Sequence, residues 1–178
     1  SERIGLRFPV EVGLVGDARL TLEKLLPLLH QKDGKFLKSK QESMKKWNSL
    51  MHSSDPLAKP IKPQLIAAAV SEELDDNAII SVDSGTNTIW AARYINIRKG
   101  MKFSLSGTLA TMACGLPYAI AAQIAFPDRQ SVAFVGDGGF AMLMGEFATA
   151  VKYNLPIKVI IIKNNILGMI RWEQLAFL

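Results

Sequence analysis

The sequence predicts an α/β protein with a doubly wound parallel sheet and helices on both of its faces. Short, apolar, β-branched runs recur after residue 63 and helical patterns separate them, which is typical of strands that are buried on both sides. The 178 residues are 49% hydrophobic and 21% charged, with a single cysteine. This composition supports a sizeable core and excludes a disordered chain or a disulfide-stapled scaffold.

Residues 1–30 predict the end of a preceding α/β domain. The run at 10–17 indicates a short strand, and the leucines at 22, 25, 26 and 29 give residues 18–29 the apolar face of a helix. A lone strand and helix cannot bury their apolar faces. We therefore interpret residues 1–30 as the tail of another domain.

Residues 31–62 carry the whole excess of positive charge. The chain has a net charge of +5, and this stretch holds eight lysines against three acidic residues, while both flanking segments are neutral. We interpret it as a solvated basic linker with a short helix at 41–50, in preference to a phosphate-binding arm. Only Phe36 and Trp47 interrupt the lysines with aromatic rings. A stacking platform for bases is therefore unsupported, and we expect no nucleic-acid partner.

The alternation after Pro63 predicts one domain over residues 63–178. A proline suits the first turn of a helix, so the first helix is expected to begin there. The predicted strands are 78–82, 101–105, 132–135 and 157–162, and the later helices are about 88–95, 112–126 and 141–153. Ligands in open parallel sheets bind beyond the carboxyl ends of the strands. A site is therefore expected at the loops 83–87, 106–112, 136–139 and 163–168.

The remaining features of the sequence concern the cellular compartment, the single cysteine and the two histidines. No apolar run is long enough to span a membrane and no signal-peptide pattern is present, so we expect a cytoplasmic protein, with peripheral membrane association left open. Cys114 is expected to be a small buried side chain. His30 and His52 lie in or beside the basic linker and are poor catalytic candidates. The chain begins and ends within recognisable patterns, so we expect a piece of something longer, truncated within its last domain.

The residues Gly136, Asp137, Gly138 and Gly139 lie at a predicted strand-to-helix junction. Glycines there let the backbone approach a ligand, and the free N–H groups of a helix start favour an anion. Alone, this tetrapeptide is more typical of a tight turn with a capping aspartate. Asn164 and Asn165 follow the next strand and add amide oxygens within reach of the same ion. A carboxylate, an amide oxygen, a backbone carbonyl, two phosphate oxygens and a water would complete the octahedron that Mg²⁺ prefers.

These two loops together resemble the signature of thiamine-diphosphate enzymes. Gly-Asp-Gly-Gly-Phe at 136–140 is followed, 27 residues after its aspartate, by Asn-Asn-Ile-Leu-Gly at 164–168, with Leu155 and Pro156 between them. The segment is similar to the C-terminal diphosphate-binding domain of the pyruvate oxidase and acetolactate synthase family. The similarity extends over residues 10–178 and is weakest in the basic linker.

The resemblance implies a role for each matching residue. Asp137 and Asn164 correspond to the side-chain ligands of Mg²⁺, and the backbone carbonyl of Ile166 to the third protein ligand. The Met112 side chain would wedge the cofactor into a bent conformation, and Met169 would face the substrate. The implied cofactor-binding set is Thr86, Asn87, Ala110, Thr111, Met112, Gly136, Asp137, Gly138, Gly139, Asn164, Ile166, Leu167, Gly168 and Met169.

The resemblance also implies a reaction and partners. The cofactor would act as an electron sink while a 2-oxo acid, such as pyruvate, loses CO₂. The segments 90–94 and 142–147 resemble pyruvate oxidase and quinone-linked pyruvate dehydrogenase most, with an acetolactate synthase-type carboligase as the alternative and a non-catalytic domain fragment as an alternative of another class. FAD is possible in the full-length protein, and a homo-oligomer, dimer or tetramer, is expected.

One catalytic group that the resemblance implies has no match in this sequence. The family uses a glutamate that hydrogen-bonds the cofactor's pyrimidine, and that residue lies in a separate domain, usually of a partner subunit. Glu146 lies on the helix after the diphosphate loop and cannot take that role. The 178-residue segment is therefore predicted to be inactive alone.

Overall fold

The structure is a computed structural model that describes residues 3–51 and 57–177. The chain divides into two compact units, Ser1–Ser49 and Leu50–Leu178, which are described separately. His52 lies outside the described residues. Within the described part of the chain, no helix combines the length and the apolar character needed to cross a bilayer.

The first unit contains helix α1 (Ala18–Leu25), a 3₁₀ turn (Leu26–Leu28) and the start of helix α2 (Lys35–Met51). Asp17 caps α1, because its side chain accepts a 2.9 Å hydrogen bond from the N–H of Leu20. The prediction of a helix from residue 18 is confirmed, although Pro27 turns its end into the 3₁₀ segment. Helix α2 is longer than the predicted one and begins at Lys35.

The predicted strand at residues 10–17 is wrong. These residues form bends and irregular chain, and among residues 3–49 the structure contains no strand. A strand is stable only when a neighbouring strand accepts and donates its backbone hydrogen bonds. Within this unit the apolar run has no such neighbour, so its sequence pattern alone does not make it extended.

The second unit is built on a parallel four-stranded sheet with the order β2-β1-β3-β4. The strands are β1 (Ile79–Val82), β2 (Lys102–Ser104), β3 (Ser131–Gly136) and β4 (Lys158–Ile162). The helices are α3 (Pro63–Glu72), α4 (Thr86–Tyr94), α5 (Gly115–Ala125), α6 (Asp137–Leu143), α7 (Glu146–Lys152) and α8 (Gly168–Phe177). All four strand predictions are confirmed to within two residues, and so is the α/β fold class.

The core lies on both faces of the two central strands. Ile80, Val82 and Phe134 are fully buried and pack with residues of α3 and α4. On the opposite face, Ala133 and Val135 pack with α5. Successive residues of β3 therefore point to opposite sides, as a strand requires, and the sheet is covered on both sides as predicted.

Two helices differ from their predicted extents. The helix predicted over 141–153 is divided into α6 and α7, which are separated at Met144 and Gly145, and α6 begins earlier, at Asp137. Helix α5 begins at Gly115 and not at residue 112, because Ala110 and Ala113 have φ angles of 49° and 70°. That left-handed backbone cannot belong to an α-helix.

The strand order fixes where a ligand can bind. From β1 the chain crosses to β2 on one side, and from β2 it returns to β3 on the other side of β1. The connections that leave the carboxyl ends of β1 and β3 thus run in opposite directions, and a crevice opens between them. All four loops predicted to form a site contribute residues to the cavity at this crevice.

Candidate cofactor site

A cavity of about 420 Å³ opens at the carboxyl ends of β1, β3 and β4. Of the residues implied by the resemblance, all except Thr111 line it. Those residues are Thr86, Asn87, Ala110, Met112, Gly136, Asp137, Gly138, Gly139, Asn164, Ile166, Leu167, Gly168 and Met169. Thr111 is exposed on the same loop as Met112. The structure therefore brings residues from four separate loops to one place.

The loops after β3 and β4 are joined by a hydrogen bond. These strands are neighbours, with Gly136 opposite Ile162. Oδ2 of Asp137 accepts a 2.9 Å hydrogen bond from the N–H of Asn165, and Oδ1 of Asn164 accepts one of 3.0 Å from the N–H of Ile166. A carboxylate oxygen and an amide oxygen are thus held on adjacent loops, which is the donor chemistry that a hard divalent cation requires.

The candidate metal ligands do not form a cluster of acidic or thiol groups. In the described ranges, no three His, Cys, Asp or Glu side chains lie together as a metal-binding group would. A site with one carboxylate and neutral oxygens suits Mg²⁺, because this ion commonly completes its shell with phosphate oxygens and water. The residues present therefore fit a Mg²⁺–diphosphate group better than a metal held by protein alone.

Two glycines allow close contacts between the loops around the cavity. A Cβ atom on Gly139 would overlap the carboxylate of Asp83, and one on Gly168 would lie 2.5 Å from Cγ2 of Thr86. The backbone of the loop after β3 therefore approaches the end of β1, and the start of α8 approaches the start of α4. Both contacts bring loops of the cofactor-binding set close together.

Asn87 is part of the wall of the cavity. The residue is 2% exposed, and its Nδ2 donates hydrogen bonds of 2.9 Å to the carbonyl of Asp83 and 3.1 Å to that of Phe134. These bonds tie the ends of β1 and β3 together at the crevice. Both amide protons are thereby used, and the remaining Oδ1 cannot donate to a phosphate. The assignment of Asn87 to the cofactor-binding set stays a prediction.

Asp83 is a buried residue to which the sequence analysis gave no role. It directly follows β1 and is 1% exposed. Its Oδ1 accepts a 2.8 Å hydrogen bond from the N–H of Ser84. Burial raises the pKa of Asp83 above its usual value, although hydrogen bonds from the backbone of Ser84, Ala113 and Cys114 oppose the rise. The signal that could have identified it is an aspartate directly after a short, mostly apolar strand.

Cys114 is buried beside Asp83, as the sequence predicted for a lone cysteine. Its thiol donates weakly to the backbone oxygen of Val82 and to Oδ1 of Asp83, at 3.7 and 3.8 Å. Burial raises the pKa of the Cys114 thiol, and the nearby Asp83 carboxylate adds to the rise. The thiol is therefore an unreactive core group.

The apolar side of the cavity is formed by long flexible side chains. Leu167 and Met112 border the space beside Gly138, and Met169 lies at the entrance with 37% of its surface exposed. Met112 is thus placed next to the glycine loop, and its contact with a cofactor stays a prediction. Met169 is open to a molecule entering from solvent.

Comparison with known proteins identifies the class to which this fold and site belong. Residues 83–178 match the family described as "Thiamine pyrophosphate enzyme, C-terminal TPP binding domain". The chain belongs to this family, which confirms the resemblance drawn from the two loops.

Three relatives show the range of the family around this chain. YdaP of Bacillus subtilis (strain 168), described as thiamine pyrophosphate-containing, is 45% identical over 97% of this chain and 30% of its own length. Acetolactate synthase 1, chloroplastic, of Nicotiana tabacum is 35% identical over 98% of this chain and 27% of its own length. Pyruvate oxidase of Lactiplantibacillus plantarum is 29% identical over 97% of this chain and 29% of its own length. The chain thus spans less than a third of each of these relatives.

Proposed function

We propose that residues 63–178 bind the diphosphate of thiamine diphosphate through Mg²⁺, and that the protein decarboxylates a 2-oxo acid such as pyruvate. Membership of the thiamine pyrophosphate enzyme family supports the cofactor. The observation that carries the metal is the hydrogen bond from Asn165 to Asp137, which holds two oxygen-bearing loops side by side.

The residues of this chain would bind and orient the cofactor. Asp137, Asn164 and the carbonyl of Ile166 would hold Mg²⁺, while backbone N–H groups of Gly138 and Gly139 would face the phosphates. Bound thiamine diphosphate supplies an electron sink for the bond pair released when CO₂ leaves.

The reacting end of the site would be shaped by backbone and apolar side chains. The backbone of Ala110 and Met112 would support the aminopyrimidine, with the Met112 side chain beneath the bend of the cofactor. Met169 would contact the substrate at the cavity entrance. Low polarity there would exclude water from the reacting carbon.

Two reactions are candidates for the whole protein. The segments 90–94 and 142–147 support an oxidase or quinone-linked dehydrogenase, in which FAD would be a second cofactor. The higher identity to acetolactate synthase, 35% against 29% for pyruvate oxidase, supports a carboligase. Both would share the Mg²⁺ and diphosphate ligands, and in both we expect a homo-oligomer.

Calorimetric titration of the intact protein, with any flanking sequence its gene encodes, tests the proposal. Thiamine diphosphate should bind in the presence of Mg²⁺, and its affinity should fall strongly when EDTA removes the metal. In the Asp137→Ala variant, cofactor binding should no longer depend on Mg²⁺. Asp128→Ala is the matched control, because Asp128 is exposed at the opposite end of β3. Unchanged binding in Asp137→Ala would overturn the metal assignment, and an intact protein that binds no cofactor would support the non-catalytic alternative.

The product formed from pyruvate separates the two reactions. An oxidase or dehydrogenase yields acetate or acetyl phosphate and reduces an electron acceptor. A carboligase yields acetolactate without an acceptor. Measurement of both products, with and without an artificial acceptor, decides between them.

A further inference from the structure

We propose that Asp83 is a positioning residue, whose carboxylate holds the Met112 loop (residues 110–114) against the diphosphate loop (residues 136–139). This inference rests on the proposed function, because it assigns to Asp83 the placement of two loops that would contact the cofactor. Asp83 does not itself line the cavity. It would act through other residues and touch neither cofactor nor substrate.

The contacts of Asp83 reach three elements. The Oδ1 atom accepts a hydrogen bond from the N–H of Ser84 at the end of β1 and a weak one, at 3.8 Å, from the thiol of Cys114. The next residue of the chain, Gly115, lies so close that an added Cβ would be 3.2 Å from Cβ of Asp83. The Oδ2 atom is buried, has no hydrogen-bond partner among the described residues, and occupies the space that a Cβ on Gly139 would need. One carboxylate thus lies between a strand end, the Met112 loop and the diphosphate loop.

The backbone of the Met112 loop has the geometry of an anion-binding nest. Ala113 is left-handed, with φ of 70°, and Cys114 is right-handed, with φ of −73° and ψ of −22°. Adjacent residues of opposite hand turn their N–H groups toward a common point, which then attracts a negative charge. The Asp83 carboxylate lies beside this turn, with Oδ1 3.8 Å from the thiol of Cys114, and the N–H groups of Ala113 and Cys114 lower its pKa against the effect of burial. The protein itself therefore supplies the group that the nest would attract.

The loop needs such a partner because its backbone is strained. Ala110 and Ala113 flank Met112, and both have positive φ angles although neither is glycine. Such conformations persist only where surrounding contacts over-determine them. The contact of Asp83 with the Cys114 thiol and the close approach of Gly115 to Asp83 supply that constraint on one side of Met112. Without them the loop would relax, and Met112 would leave the position beside Gly138.

Gly139 makes the second contact possible. Any side chain there would displace the Asp83 carboxylate, so the absence of a Cβ lets the diphosphate loop lie directly on Asp83. The spacing between the diphosphate loop and the Met112 loop is therefore set by the same group. That spacing would fix the diphosphate and the aminopyrimidine of one cofactor relative to each other.

The experiment compares wild type, Asp83→Ala, Asp83→Asn, the double variant Asp83→Ala with Ala113→Gly, and the control Asp128→Ala, all in the intact protein. Two quantities are measured: the Kd for thiamine diphosphate with Mg²⁺, and hydrogen exchange of the cofactor-free protein. Asp83→Ala should raise the Kd about 10- to 100-fold, as loss of a supporting group does in other cofactor and metal sites. Exchange should increase in residues 106–115 and stay unchanged in β3. Asp83→Asn should raise the Kd by about threefold, because a neutral acceptor holds the nest less well.

The Ala113→Gly substitution distinguishes positioning from general stability. Glycine adopts the left-handed backbone without strain, so the double variant should recover most of the lost affinity. A purely structural role predicts faster exchange throughout β1 and β3, and no rescue. Either result would overturn the inference.

The remaining outcomes also decide the question. If Asp83→Ala does not fold, the test depends on Asp83→Asn. A wild-type Kd and wild-type hydrogen exchange in residues 106–115 of that variant would overturn the inference that Asp83 positions the Met112 loop. If wild type binds no cofactor, the proposed function fails. The exchange data then still test whether Asp83 holds the Met112 loop.

Discussion

The carboxylate of Asp137 and the backbone N–H of Asn165 form a 2.9 Å hydrogen bond that joins two loops from neighbouring strands. The bond uses Oδ2, so a cation can bind Oδ1 of the same carboxylate while the loops stay joined. The observed connection of the loops and the proposed binding of Mg²⁺ thus depend on different oxygens of one side chain. Substitutions that affect only one of these two properties can therefore be designed.

Asp137→Asn should separate these properties. The amide retains an acceptor oxygen for the N–H of Asn165, so the thermal midpoint should stay close to that of wild type. The affinity for Mg²⁺ in the presence of thiamine diphosphate should fall by at least about tenfold, because ligand charge sets divalent-cation affinity. A Mg²⁺ titration followed by cofactor binding measures it, with Asp128→Asn as the exposed control. A titration that overlays wild type would contradict the prediction.

The sequence was sufficient to predict the four strands of the sheet and the loops that follow them, because runs such as 157–162 are rich in β-branched apolar residues, which few helices are. The strand order was not predictable, since apolar periodicity does not encode which strands pair. The loops 136–139 and 163–168 were expected to lie together, and they do, because consecutive parallel strands often neighbour each other, as β3 and β4 do.

The failures have physical causes as well. The run at 10–17 carries a strand pattern, but pairing with a neighbour decides whether such a run is extended. The start of α5 moved to Gly115 because Ala113 is left-handed, and alanine ordinarily predicts helix. The role of Asp83 depends on contacts with residues 30 or more positions away, such as Cys114, and no local pattern reports these.

Gly168→Ala should weaken cofactor binding. The added Cβ would lie 2.5 Å from Cγ2 of Thr86, so the start of α8 must move away from α4 and widen the diphosphate end of the cavity. Thr86→Ser removes Cγ2 and should restore affinity in the double variant. Calorimetric Kd values measure both effects, and a wild-type Kd for Gly168→Ala alone would refute the argument.

Gly145→Ala is the matched control for that substitution. Gly145 has φ of −57°, and nothing lies within 4 Å of its added Cβ. The substitution should leave the Kd unchanged and stabilise the protein by about 0.4–1 kcal/mol, because alanine restricts the unfolded chain.

Asn87→Asp should destabilise the protein strongly. It would place a carboxylate oxygen against the carbonyls of Asp83 and Phe134, which now accept hydrogen bonds of 2.9 and 3.1 Å from the amide. Two favourable contacts become repulsive in a buried position, so the free energy of unfolding should fall by about 2–4 kcal/mol. The thermal midpoints of unfolding measure this loss of stability. The control is Asn77→Asp, which makes the same change at an exposed position near the other end of β1. Equal midpoints for the two variants would show that Asn87 does not tie the strands.

Stability should depend on pH through Asp83. Burial raises its folded-state pKa above the usual 3.8, so the folded protein binds this proton more tightly than the unfolded chain does. The stabilisation that this bound proton gives the folded protein is fully present below the pKa of Asp83 in the unfolded chain. It is lost as the pH rises through the pKa of Asp83 in the folded protein. Asp83→Asn does not titrate at this position, so the thermal midpoint of wild type minus that of Asp83→Asn should fall as the pH rises above 3.8 toward neutrality. The thiol of Cys114 does not interfere, because its pKa is raised above 9.0 and it stays protonated throughout. A difference that is flat or rises with pH would mean that hydrogen bonds from Ser84, Ala113 and Cys114 outweigh the desolvation of this carboxylate.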